Sequence, residues 1–386
     1  MTQEKAPDAA PLPPTPKASR LDPRKVLLAV AAPLLAALVA LVVSSIALVA
    51  SGSNPLTVYA RMLSEGTTLR SLLITVNNAV PLYLSALAVA LGFRMGLFNI
   101  GVQGQYQLAA LLAAAAGAAV TLPGPLHIAL VIVVAMAVGA FWSGIAGVLK
   151  TTRGVSEVIS TIMLNVIAGG LAAYLLTTYL QERVEGSNNS RTPQLPESAR
   201  MPNLDPVLRA VGIEPPQGTR LGGFLLVAIA VGVLYALVVN RSRFGFELRA
   251  TGLNPAAAVA SGVDAKRMTV ITMLLSGAIA GLVGLPQLLG QSYAYGLDFQ
   301  TGLGFTGIGV ALLGRGSPVG IAFAALLFAF LERSSATLQR IDVPTEIYVI
   351  MQGSIVLSVV VAYEAVRRAG VAQAERAVRR ATEPGA

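Results

Sequence analysis

The chain has 386 residues, 54% of them hydrophobic and only 12% charged, with a net charge of +9; an ordinary soluble domain is about a quarter charged. That balance excludes a water-soluble core. The scatter of basic residues between apolar runs, with no stripe of interleaved aromatics, excludes a nucleic-acid groove. With no cysteine and one histidine, His127, disulfides, thiol nucleophiles and His/Cys metal clusters are excluded too.

Residues 1–25 form a polar, proline-rich head that reads as a disordered cytoplasmic tail. About 20 apolar residues cross a bilayer as a helix. On that measure the spans are 26–50, 71–92, 105–122, 126–149, 157–180, 222–240, 268–290, 300–314, 318–333 and 345–364. The chain is therefore expected to be an all-α polytopic membrane protein of about ten transmembrane helices, with residues 26–365 forming one transmembrane domain. The first run, Val26 to Ala50, is too long for a secretory signal and is expected to stay as a helix. A glycine-rich stretch precedes 105–122 and the run 300–314 is short, so short or broken helices are expected near 96–105 and 300–314. His127 and Trp142 fall in the fourth span with no partner in view, and His127 is expected at its interfacial end. Tyr293 and Tyr295 read as an aromatic belt.

Cytoplasmic loops carry the excess of lysine and arginine. Ten spans put both termini on one side, and that side holds 19 of the 28 basic residues, so both termini are expected in the cytoplasm. Residues 181–221 then form a proline-rich external loop and 241–267 a basic cytoplasmic loop. The basic tail 366–386 is expected to meet anionic lipid.

A charge inside a membrane is costly and usually marks an ion or proton path. Glu157, Glu332, Glu346 and Glu364 all fall near span ends, and no span carries a carboxylate, lysine or histidine at its centre. No Gly-Lys pair exists either, so the chain has no phosphate-binding P-loop. Any ATP that drives it must bind elsewhere. The loop 241–267 offers a contact for such a partner. Asn254 caps and Pro255 opens a two-turn helix, and Gly262 closes it in the left-handed conformation. From pattern alone, a plain surface helix between two spans reads equally well. At membrane depth, Asn99, Gln103, Gln105 and Asn165 present amides either to a hydroxylated solute or to neighbouring helices as packing bonds. Phe305, beside Thr306, could stack on a sugar or base. An ATP-coupled permease, a self-sufficient secondary carrier and a lipid-acting enzyme are all open at this point. The carrier lacks buried charges and the enzyme lacks a catalytic cluster.

Five segments then carry a resemblance: Gly96-Leu-Phe-Asn-Ile-Gly-Val-Gln-Gly-Gln105, Glu157-Val-Ile-Ser-Thr-Ile-Met-Leu-Asn165, Arg249-Ala-Thr-Gly-Leu-Asn-Pro-Ala-Ala-Ala258, Ser276-Gly-Ala-Ile-Ala-Gly281 and Gly304-Phe-Thr-Gly-Ile-Gly-Val-Ala-Leu-Leu-Gly-Arg315. In this order they resemble the permease subunits of ABC importers of the ribose/branched-chain amino acid type, most closely the nucleoside and simple-sugar branch. The chain departs from that family at Gln103, where an acidic residue is typical. It departs again at Ala256–Ala258, where a glutamate often opens the coupling motif. The resemblance implies a bacterial inner-membrane permease with two pseudo-symmetric helix sets flanking a pathway. It implies that Asn99, Gln103, Gln105, Asn165, Phe305 and Thr306 line that pathway, and that Arg249, Asn254, Pro255, Ala258 and Gly262 couple it to ATPase subunits. It further implies a second permease half, two subunits that bind ATP and Mg, an extracytoplasmic solute-binding protein, and no cofactor in this chain.

Overall fold

The computed structural model describes residues 38–182, 190–336, 338, 347–362 and 368. The predicted N-terminal tail, all of the C-terminal tail but Arg368, the first twelve residues of the first predicted span and residues 183–189 of the predicted external loop lie outside them. Among the described residues the chain is almost wholly helical, and each of the ten predicted runs is occupied by a helix. Six helices are long and apolar enough to cross a membrane, or seven if one bent pair counts as a span.

The second helix of that bent pair was not expected from the sequence. Leu38–Ala50 (α1) turns through 112° into Pro55–Gly66 (α2). The break is local chemistry: Gly52 takes φ +78, the Asn54 side chain accepts from Leu56 N, and Pro55 starts the new helix. Leu69–Arg94 (α3) follows, then Val102–Ala118 (α4), Gly124–Arg153 (α5) and Glu157–Leu175 (α6), which ends in a π turn at Leu176–Leu180. A short helix, Asp205–Ala210 (α7), lies in the long loop before Phe224–Arg241 (α8). The loop after α8 holds two helices, Arg243–Leu253 (α9) and Pro255–Ala260 (α10). Ala265–Gly281 (α11) runs on through Leu285–Gln287 and a π turn at Leu288–Ser292. Leu303–Leu313 (α12), Pro318–Ser335 (α13) and Ile347–Ala362 (α14) complete the chain.

Burial ranks these helices. The apolar windows of α3 and α11 are two-thirds buried, whereas those of α6 and α8 are little more than a quarter buried. Thus α3 and α11 form the protein core, and α6 and α8 present apolar faces to lipid or to another chain. The two core helices pack on each other, α5 packs on α11, and α13 packs on α3. Exchanging α3, α4 and α5 for α11, α12 and α13 reproduces this pattern, as the expected pair of helix sets requires. Glycine makes the α5–α11 crossing close. A side chain at Gly139 would meet the Gly277 carbonyl, and one at Gly277 would meet the Gly139 carbonyl. Backbones approach this closely in lipid where small residues permit it.

The loop 190–222 is folded down as a cap. Thr192 N donates to Tyr295 O (2.8 Å), Leu195 N to Tyr293 O (2.8 Å), and Met201 N to Leu289 O (2.9 Å). His127, in the first turn of α5, belongs to this cap and is fully buried, which corrects its partnerless reading. Its Nδ1 pairs with Ser198 Oγ (2.9 Å) and its Nε2 with Gly117 O (2.8 Å). Trp142 likewise has a partner, donating from Nε1 to Leu164 O (3.2 Å). Tyr295 is buried and stacks on Phe299 at 4.7 Å between ring centres, so it is no belt residue.

Candidate functional site

Helices α4 and α12 are about 25 Å and 16 Å long at 1.5 Å per residue, less than a bilayer core of about 30 Å. Contacts fix where each lies. α4 ends against Leu195 and His127, at the end of the bundle bearing the loop 190–222. α12 is capped at Gly314, two residues before Gly316, whose carbonyl accepts from Arg94 Nη2 (3.1 Å) at the far end of α3. Their beginnings meet between these levels. Ser85, well inside α3, donates from Oγ to Leu303 O (2.9 Å), and a side chain at Gly304 would meet the backbone of Gln103. Two half-helices therefore run in opposite directions from a shared point inside the bundle.

Their first-turn N–H groups lack helical acceptors, and each start carries about half a positive charge. Side-chain amides satisfy both. Gln103 Oε1 accepts from Gly302 N (3.0 Å) and Gly304 N (3.2 Å), so a residue of α4 caps α12. Gln103 Nε2 donates to the Tyr106 hydroxyl (2.9 Å), which donates to Gln300 O (2.9 Å). At the start of α4, Asn99 Oδ1 accepts from Gly101 N (3.0 Å) and from Gln105 Nε2 (2.8 Å). Asn99 Nδ2 donates to Gln105 Oε1 (3.0 Å) and to Ser276 Oγ on α11 (2.9 Å). Asn165 on α6 accepts from Gly104 N (2.8 Å) and donates to Ile100 O (2.9 Å).

The four predicted amides thus come together around one junction. Asn99 and Gln105 are almost fully buried, Gln103 is buried, and Asn165 is half-buried. Phe305 and Thr306 lie on the first turn of α12, where Phe305 is 55% exposed and Thr306 is half-buried. Sequence reasoning missed Tyr106, Ser85 and Ser276. Tyr106 lies three residues after Gln103 on one helix face, a spacing at which side chains meet.

On the opposite-facing side of α8 and α11, the short helix expected after Asn254 is present. Asn254 Oδ1 accepts from Ala257 N (3.1 Å), Pro255 opens the helix, Ala258 is buried, and Gly262 has φ +85. Arg249 turns inward, donating to the Val239 carbonyl at the end of α8. The preceding helix α9 was not expected; Ser242 caps it through Gly245 N (3.0 Å). Between α9 and α10 lies a groove of about 420 Å³, lined in part by exposed Phe246 and Leu253. Gly252 seats α9 on the backbone of Arg94 and Met95, where the break leading to Asn99 begins. Glu157 grips the same break from the other side, accepting from Phe98 N (3.4 Å) and pairing with Lys150.

A polytopic helical bundle with a polar junction of half-helices and a capped surface helix pair has the form of a membrane permease. Residues 71–360 match the family described as branched-chain amino acid transport system / permease component, and the chain belongs to that family. Among its relatives, the glucose ABC transporter permease protein TsgB13 of Haloferax volcanii is 34% identical, covering 88% of this chain and 90% of that protein. The nucleoside ABC transporter permease protein NupB of Lactococcus lactis is 33% identical, covering 88% and 92%. The guanosine ABC transporter permease protein NupP of Bacillus subtilis is 36% identical, covering 75% and 80%. No solved structure matches the chain.

Proposed function

We propose that the chain is one permease half of an ATP-driven importer for a nucleoside or simple sugar. The observation that carries this reading is the 33–36% identity, over most of the chain, to permeases named for guanosine, nucleosides and glucose. The partner half is a related, different chain. The permeases NupC and NupQ and the putative glucose permease TsgC13 are only 24–27% identical to this chain, which supports two permease types per system, with this chain of the NupB type. Two ATPase subunits, with their ATP and Mg, dock in the cytoplasm, both termini lie there, and an extracytoplasmic protein delivers solute.

In this reading the pathway residues have different tasks. Phe305 and Thr306 face the solute from the first turn of α12, while Asn99, Gln103, Gln105 and Asn165 hold the backbone that shapes the path. Docked ATPase bears on α9 and α10, with Arg249, Asn254, Pro255, Ala258 and Gly262 setting their shape. A displacement of α9 passes through Gly252 to Arg94–Met95, then to Asn99 and the two half-helix starts.

Uptake of labelled guanosine and glucose into cells carrying the whole system tests the assignment. Uptake should survive a protonophore while ATP is maintained and stop on ATP depletion; collapse with the protonophore alone would indicate a secondary carrier. The coupling step is tested by an Asn254→Ala, Pro255→Ala double variant. Loss of the cap costs about 1 kcal/mol, enough to fray a two-turn helix without unfolding the bundle. Membrane levels should stay normal, ATP hydrolysis should continue, and uptake should fall at least tenfold. Unchanged uptake removes α10 from coupling.

A further inference from the structure

Two cavities meet at Val80 and Leu225, one between α3, the start of α8 and the run-on of α11 at Pro286, Gly290, Gln291 and Tyr293, the other between α3, α8 and α13. The first, about 290 Å³, lies at the end bearing the loop 190–222; Asn77, Asn203, Thr219 and Arg220 contribute polar groups, and Val80 and Leu225 form its inner edge. The second, about 520 Å³, begins at the same Val80 and Leu225 and runs deeper between the three helices. Its walls are apolar, with Tyr83 the main polar side chain among Ala228, Gly232, Val319 and Phe323. Along α8 the groove follows Leu225, Ala228, Ile229, Gly232, Val233 and Ala236, one helical face. That face is about 16 Å long, close to half of a bilayer core of about 30 Å. A helix of a partner chain would need the full thickness. One acyl chain needs one leaflet.

We infer that this is a binding site for a single phospholipid, its phosphodiester headgroup in the polar pocket and one acyl chain in the groove. Arg220 and the nearby Arg70, whose Nε donates to Thr219 Oγ1 (3.3 Å), bring positive charge to the headgroup end, so an anionic lipid is preferred. Asn77 fixes the pocket floor, donating to Arg220 O (2.7 Å) and accepting from Gly222 N (2.9 Å). The lipid joins α8, which packs lightly on α13, to the rest of the bundle. The site is independent of which solute is carried.

Native mass spectrometry of the purified full chain from micelles holding phosphatidylglycerol and phosphatidylcholine tests this. One phosphatidylglycerol per chain should be retained. Arg220→Ala should reduce the preference for phosphatidylglycerol about fivefold, the effect of one arginine near an anionic surface. Ala322→Trp, which fills the groove, should remove the bound lipid. As a readout that needs no stable variant of the groove, a photo-crosslinking amino acid at Val233, which is 54% exposed, should capture lipid. Retention and preference unchanged in both variants, or crosslinking at Val233 to the second permease half, would overturn the assignment.

Discussion

Gln103→Leu should abolish uptake and lower the thermal stability of the detergent-solubilised protein. Leucine fills a similar volume but leaves the N–H groups of Gly302 and Gly304 unpaired inside the bundle. An unsatisfied buried donor costs about 1–3 kcal/mol, so the pair should cost roughly 2–6 kcal/mol, most of it at the start of α12. Gln103→Glu is the informative companion. A carboxylate still accepts from both N–H groups and suits a helix start better than an amide does, and the Tyr106 hydroxyl, which loses the Gln103 Nε2 donor, can turn to donate to it, so uptake should stay near that of the parent. If leucine and glutamate behave alike, the capping role is wrong. If glutamate is as good as glutamine, the departure from the acidic residue usual in the family exchanges one acceptor for another.

The second large effect is expected at the α5–α11 crossing. In Gly277→Val the new side chain would land on the Gly139 carbonyl and on Cβ of Ser143. Neither is the movable end of a flexible side chain, so α5 and α11 must separate. Overpacking usually costs about 1–3 kcal/mol, occasionally more, and this site belongs at the top of that range. Fluorescence-detected size exclusion should show aggregated or absent protein. Gly290→Ala, with no heavy atom near its would-be side chain, should run like the parent. A well-behaved Gly277→Val would mean that the helices do not touch as described.

Much of the fold could be read from sequence because hydropathy sets helix position when the bilayer is the solvent. All ten apolar runs carry helices, and the Asn254–Pro255 start was legible because capping is local chemistry. The bend after Ala50 was also written locally, in Gly52, Asn54 and Pro55, but a long apolar run upstream dominated the reading. α9 was hidden because Gly245 and Gly252 lower helix propensity; Gly252 is there for the close approach to Arg94–Met95. The partners of His127 come from Gly117 and Ser198, the latter 71 residues away, and hydropathy says nothing about such pairs. The amide cluster was recognised as polar groups at membrane depth. What joins it, Gln103 reaching about 200 residues along the chain to Gly302 and Gly304, is tertiary and has no local signal.

The opposed half-helices have an electrical consequence. Both direct their positive ends at the region around Gln103, and both direct their carbonyl ends toward the two membrane faces. A cation moving past that point meets a repulsive potential whichever side it enters from, because the arrangement is the same from either side. An uncharged solute does not feel it. Positive half-helix ends are a known means of excluding protons and cations from a pore. A permease that opens to each side in turn, while the cell holds a voltage across the membrane, can thus remain an insulator for ions without any arginine or lysine in its middle.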